Sequence, residues 1–159
     1  QKKYAHEIAG FNARLDEVQA AFLRIKLPLL NSDNQRRRDI AKRYNTALQN
    51  TDLKLQSTPQ PIESVWHVYT VRHPRRDALQ HALTEHGVST VVHYPTPPHL
   101  QGAYADLALK EGDFPISERI HREMLSLPIS PVMTDDQVEA VIRIVLTTCH
   151  DLAANVSAQ

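Results

Sequence analysis

The residues with the most chemical reach in this chain fall in two short stretches. One is Gly10-Phe11-Asn12-Ala13-Arg14, an amide and a guanidinium two positions apart at the polar entry to an apolar-periodic segment. The other is His93-Tyr94-Pro95-Thr96-Pro97-Pro98-His99, where an imidazole and a phenol precede a proline-stiffened turn and a second imidazole. Asn12 and Arg14 are hydrogen-bond donors ahead of a helix. A helix N-terminus adds free amides and a positive dipole end, so the stretch could hold an anion. Asn is also a good helix cap, and residue type alone leaves both readings of Asn12 open. His93 and His99 stand at a strand end and in a Pro-rich loop, where sites tend to gather. The alternative is that the prolines only make a turn and the imidazoles are solvated.

Other chemistries lack their residues. The glycines are Gly10, Gly87, Gly102 and Gly112, which form no phosphate loop; there is no zincin His pair, no Cys pair for zinc and no G-x-S-x-G elbow. Cys149 is the only cysteine, which excludes an internal disulfide and fits a reducing cytoplasm. His6, His73, His81, His86, His121 and His150 fall on polar faces or segment ends and read as solvated, while His67 reads as a half-buried strand residue. The run Arg36-Arg37-Arg38-Asp39 reads as a solvated helix face. A formal net charge of zero and the lack of interleaved aromatics argue against nucleic acid as a partner. No apolar run approaches the ~20 residues of a membrane span. The start QKKYAHEIAG is polar and has no apolar signal-peptide core. It does not read as the beginning of a domain, and predicts a C-terminal piece of something longer.

A length of 159 residues with 42% hydrophobic and 23% charged side chains suits one soluble domain with a real core. Leu15, Val18, Phe22, Ile25 and Leu29 have helical spacing and predict a helix with one buried face, ended or kinked at Pro28. Ser32 and Gln35 have capping-box spacing and predict the start of a second helix, with Ile40, Tyr44, Ala47 and Leu48 inward. After Asn50 the expected order is a loop with a short strand, a strand over VWHVYTVRH, a helix over PRRDALQHALTEH closed by Gly87, and a strand over VSTVVHY. A Pro-rich excursion with a short helix comes next, then a helix over FPISERIHREMLS and a short strand over LSLPIS. The last helix is capped by Thr134 and Gln137, with Val138, Val141, Ile142, Val145, Leu146 and Cys149 inward, and NVSAQ reads as a frayed tail. The fold class is α+β, a small, mostly antiparallel sheet with helices packed on one face.

Four motifs occur in order: GFNARLDEVQAAFLRIKLPLL, RRRDIAKRY, VSTVVHYPTPPHLQGAY and FPISERIHREMLSLPISPVMTDDQVEAVI. Together, from Tyr4 to Leu146, they resemble the C-terminal half of the DegT family, pyridoxal-phosphate (PLP) dependent aminotransferases that act on nucleotide-linked keto-sugars. The resemblance implies the C-terminal domain of a fold-type I PLP enzyme. Residues 1–50 would form a helical interface segment, 51–152 an α/β subdomain and 153–159 a tail. It implies a homodimer in which Asn12 reaches the PLP phosphate bound in the partner subunit and Arg14 serves the interface or contacts an anion. His93, Tyr94 and His99 would border the sugar-nucleotide pocket, while Pro115, Ser117, Glu118 and Pro128 are structural. The Schiff-base Lys and the PLP-binding sheet would lie outside the chain, so it would be inactive alone. The parent enzyme would move an amino group, usually from glutamate, to the keto-sugar in surface polysaccharide, lipopolysaccharide or amino-sugar biosynthesis in a bacterial cytoplasm. Two alternatives remain: a PLP-dependent sugar dehydratase of the same family, with His replacing that Lys, and a non-catalytic interaction domain.

Overall fold

A computed structural model describes residues 4–157 in secondary structure, with side chains described through residue 154. Helix α1 (Glu17–Lys26) gives way to a 3-10 turn at Leu27–Leu29 and then to α2 (Leu30–Leu48). Strand β1 is Lys54–Leu55 and β2 is Tyr69–Arg72; α3 is Arg76–Glu85, and α4 (Pro115–Glu123) runs without a gap into β3 (Met124–Leu127). Helix α5 (Asp135–Ser157) closes the chain, so the first residues of the NVSAQ tail are helical.

The expected sheet is present and small. It has three strands in the order β1-β2-β3, both pairings antiparallel. Tyr69 pairs with Leu127, Thr70 with Ser126 and Val71 with Leu125. The two-residue side-chain alternation puts Tyr69, Val71, Leu125 and Leu127 on the core face. Thr70 and Ser126 share the opposite face. The expected strand over VSTVVHY is reduced to one bridge, Val91 with Ser126. That bridge still lays the segment over Ser126, which is buried. The strand over VWHVYTVRH is cut to its last part, and His67, expected half-buried inside it, is exposed ahead of β2.

The core is one cluster joining the second half of α2, β2, α3, β3 and α5. From α2 come Ile40, Ala41, Tyr44 and Leu48, so the later part of the 1–50 segment shares a core with the sheet and the later helices. The Tyr44 ring meets Tyr69 edge-on with centroids 5.0 Å apart, and its hydroxyl donates to the Pro128 carbonyl at 2.8 Å. Burial pushes the Tyr44 phenol up to about 12, so it stays a neutral donor. On α5, Val138, Val141, Ile142, Val145 and Cys149 are buried as their spacing predicts, while Leu146 is partly exposed. The Cys149 thiol is raised to about 12, chiefly by burial and then by Asp52, and so is protonated at neutral pH.

Two local expectations differ from the structure. Ser32 and Gln35 do not open α2: that helix begins at Leu30, the Ser32 hydroxyl donates to the Leu29 carbonyl, and Gln35 bonds Asp39. Pro28 sits at the start of the 3-10 turn, where its missing N–H is tolerated, so the helical rod resumes before the box residues are reached. The arginine run is not simply solvated. Arg36 is half-buried and donates to the Met133 carbonyl at 2.7 Å and to Asp135 at 2.9 Å, while Arg43 reaches Asp135 and Glu139. These bonds tie α2 to the start of α5, and Arg36 together with Arg43 holds Asp135 below the usual carboxylate range. The equivalent box at Thr134 and Gln137 forms as expected, each side chain accepting from the other's amide at 3.0 and 3.2 Å.

His73 also differs. It is buried; its Nδ1 accepts the Arg75 amide at 3.0 Å, so the proton is on Nε2, which donates to Asp52 at 2.9 Å. The expected buried face of α1 is likewise not found: no residue of α1 is buried, and Val18, Phe22 and Ile25 are each 66–75% exposed.

Two core substitutions separate packing from polar satisfaction. Leu125→Ala should cost about 2–5 kcal/mol, because it opens a cavity in the central layer. Tyr44→Phe keeps the ring and should cost about 1–2 kcal/mol, because it leaves the Pro128 carbonyl unpaired. Urea denaturation at neutral pH measures both; a Tyr44→Phe loss as large as that of Leu125→Ala would place the ring, not the hydroxyl bond, at fault.

Candidate functional site

The residues from Tyr4 to Leu15 precede α1 without regular structure, apart from a turn at Tyr4 and a bend at Ile8. Helix α1 is capped by Asp16, whose Oδ1 accepts the Gln19 amide at 2.7 Å. That removes the cap reading of Asn12. Asn12 instead pairs with Arg14, whose Nε donates to Asn12 Oδ1 at 3.0 Å. The pair has a chemical consequence. The bond fixes the sense of the amide: Oδ1 faces the guanidinium, Nδ2 is left as a donor, and the guanidinium keeps its terminal N–H groups. Both residues are exposed, so donors of one kind are presented together to solvent.

The second stretch lies where the 91–93 segment crosses the sheet. His93 is half-buried, and its Nδ1 lies 3.0 Å from the Ser126 hydroxyl, itself 3.4 Å from that of Thr70. The ring is therefore seated on the Ser126 hydroxyl, which Thr70 backs, on the face of the sheet opposite the core. Tyr94 turns outward, its ring 5.6 Å from that of His93 and 5.2 Å from that of Tyr4, edge-on in both cases. Tyr94 and Tyr4 line a cleft of about 360 Å³ with Gly10, Thr96, Gln101, Tyr104 and His121. Asn12 and Arg14 lie just beyond it in sequence and are not among its lining residues.

His99, expected beside the substrate, is turned inward. Its side chain is 7% exposed, its Nε2 sits 3.1 Å from Glu118 Oε1, and its ring packs edge-on against Phe114 at 4.8 Å. Glu118 is buried on α4 and also accepts the amides of Gly112 at 2.9 Å and Phe114 at 3.2 Å. Burial alone would raise its carboxyl, but these amides and His99 outweigh it and hold the group below the usual carboxylate range. His99 therefore bears on the cleft through the loop it anchors.

Residue types alone missed Gln101. It comes after a 3-10 turn at Pro98–Leu100 and precedes another at Gly102–Leu107. Its Oε1 accepts the His6 amide at 3.0 Å, and its Nε2 donates to the carbonyls of Tyr4 at 3.2 Å and Thr96 at 3.3 Å. The one signal available was its place in the HLQGAY stretch after His99. Two of the partners, Tyr4 and His6, lie 97 and 95 residues upstream, out of reach of any spacing argument. Among the described residues no group of three or more His, Cys, Asp or Glu could hold a metal ion, and no helix is long and apolar enough to cross a membrane.

Comparison with known proteins gives this geometry a setting. The profile of the DegT/DnrJ/EryC1/StrS aminotransferase family matches residues 1–146. The chain belongs to that family. A curated relative, dTDP-3-amino-3,6-dideoxy-alpha-D-galactopyranose transaminase of Aneurinibacillus thermoaerophilus, is 47% identical over 91% of this chain and 39% of its own length. Among solved structures, S. venezuelae DesV superposes with a TM-score of 0.80 at 44% identity, over 91% of this chain and 39% of DesV. NtdA of Bacillus subtilis with bound cofactor PMP gives a TM-score of 0.75 at 28% identity, over 89% and 34%. The chain thus spans about two-fifths of the length of the relatives it matches. The DegT-family fold agrees with the α+β expectation.

The anchor at Glu118 makes a pH prediction. A carboxylate whose folded value is depressed adds stability above its unfolded value and loses it as pH falls through the folded one. Glu118→Gln removes the charge and, with its carbonyl oxygen kept at the Oε1 position, sets its amino group against the Gly112 amide. Its melting temperature should fall below wild type at pH 7, and the gap should narrow as pH is lowered through the carboxylate range. A gap that stays constant down to pH 3 in a thermal melt series would mean the ionised carboxylate is not what holds the loop.

Proposed function

We propose that this chain is the C-terminal part of a PLP-dependent nucleotide-sugar aminotransferase that works as a homodimer. The observation that carries the reading is the Asn12–Arg14 pair, in which the guanidinium bonds the amide oxygen and leaves Asn12 Nδ2 and the remaining Arg14 N–H groups as neighbouring exposed donors. A donor set of that kind fits a phosphate, and the cofactor of this family carries one. When bound, PLP supplies the electron sink for amino transfer. The chain's own residues bind and orient. Asn12 Nδ2 donates to the phosphate of the PLP held mainly by the partner subunit, and Arg14 holds the Asn12 amide in that sense while adding positive charge nearby. His93, seated on Ser126, and Tyr94, at the mouth of the cleft, border the sugar-nucleotide. His99 keeps the loop that follows them in place through its bond with Glu118.

The substrate class is drawn from the relatives, among whose names are both dTDP-linked and UDP-linked sugars. The amino donor is glutamate, and the setting is amino-sugar and surface polysaccharide biosynthesis, lipopolysaccharide included, in the cytoplasm. The uncovered apolar side of α1 supports the dimer. A row of exposed Val, Phe, Ile and Leu side chains on one helix is a surface that a monomer seldom leaves in water.

Asn12→Ala, made in the protein carrying its cofactor-binding domain, should weaken PLP retention about ten- to a hundred-fold, the range for a hydrogen bond to a charged group. Helical content should not change, because among the described residues the Asn12 side chain bonds Arg14 and no helix backbone. Spectrophotometric PLP titration reads the first and circular dichroism the second; unchanged PLP affinity would remove the phosphate role.

A further inference from the structure

We infer that Gln101 is a positioning residue for the cofactor phosphate, acting through Asn12. The inference rests on the function proposed above and adds a residue that does not itself touch the ligand. It begins with the direction of the carboxamide. The Tyr4 and Thr96 carbonyls can only accept, so the Gln101 nitrogen must face them; the His6 amide can only donate, so the oxygen must face it. The reverse orientation would set an oxygen against two carbonyls. One side chain thus uses three bonds to join the start of the Tyr4–Gly10 segment to the loop that carries Tyr94. The Ala103 amide donates to the His6 carbonyl at 2.8 Å and extends the same contact. At Gly102, between them, an added Cβ would stand 3.4 Å from the His6 carbonyl oxygen and 3.6 Å from the Glu7 Cα, so the two backbones run close together.

The tether matters because the segment beyond it has few other supports. Residues 5–16 contain no helix and no strand, and α1 offers no buried side chain to fix their far end. The segment that presents Asn12 is therefore held at Asp16 by its cap and at Tyr4–His6 by Gln101, with the Ala103 amide and the Tyr94 ring beside it. Removing two or three of the bonds at the second point loosens it and lets Asn12 sample more positions, and a hydrogen bond that must reach one phosphate oxygen loses by that freedom. Gln101 also fixes Thr96, two residues beyond Tyr94, so the phosphate-facing and sugar-facing segments share one amide as their reference.

The test is a double-mutant cycle read by the PLP dissociation constant of the holoenzyme. Gln101→Glu is nearly isosteric but sets a carboxylate oxygen against the Tyr4 and Thr96 carbonyls; Gln101→Met fills the same space with no hydrogen bond and serves if the charged variant fails to fold. Either should weaken PLP about three- to ten-fold, the range for one or two lost neutral hydrogen bonds, and should speed amide exchange at His6. In the Asn12→Ala background the same change should leave PLP affinity nearly unaltered, since residues acting through one contact are not additive. Faster His6 exchange with unchanged PLP affinity overturns the inference, as does an equal loss in both backgrounds. An Asn12→Ala protein that binds PLP like wild type defeats the parent reading instead, and the two failures are told apart by that single variant.

Discussion

The Glu118 carboxylate is the point on which the site depends. A buried charge is costly unless it is bonded on every side, and α4 places this one in the fold's interior, a few residues before the chain enters β3. The loop must therefore wrap it: Gly112 and Phe114 bring amides and His99 brings its ring nitrogen. Residues 92–114 build no strand ladder and only short 3-10 turns, so their polar backbone groups need side-chain partners. Glu118 meets that need at the end of the loop and Gln101 in its middle. Between them they turn an irregular stretch into a wall rigid enough to carry Tyr94.

The sheet contributes through its outer face. Thr70 and Ser126 are cross-strand neighbours in β2 and β3, pointing away from the core. On most small sheets such a pair would face water. Here the chain returns across it at Val91, so the Ser126 hydroxyl, backed by that of Thr70, becomes the seat for an imidazole. The core face and the site face thus belong to the same strands. Tyr69 and Leu127 hold the layer together while the residues beside them aim His93.

Local signals were legible in the sequence where structure confirms them locally. The Thr134–Gln137 box and Gly87, at φ +80 just past α3, each act within a few residues. The Ser32–Gln35 spacing was identical in form and did not act, because the rod had already restarted at Leu30; a motif does not reveal whether a helix is already running through it. Strand lengths were overestimated because β-branched stretches such as VSTVVHY pair only as far as a partner edge extends, and β3 is four residues long. His73 and His99 were misplaced for one reason: their carboxylate partners, Asp52 and Glu118, lie 21 and 19 residues away. In the site, the Asn12–Arg14 pair could be seen because its members are two residues apart. Gln101 could not, with its Tyr4 partner 97 residues upstream.

Among the described residues every buried hydrophobic side chain lies at Ile40 or beyond, so the core closes without help from α1. A helix of 10 residues has little tendency to form alone in water. Helix α1 is ordered because it continues, through the turn at Pro28, a helix whose far half is locked into that core by Tyr44 and Leu48. Helical order therefore spreads backward along the rod, from the packed end to the bare one, and stops at Asp16. The apolar face of α1 is a preformed stamp: the entropy of shaping it is lost when the domain folds, and a second molecule meeting that face has only to dock.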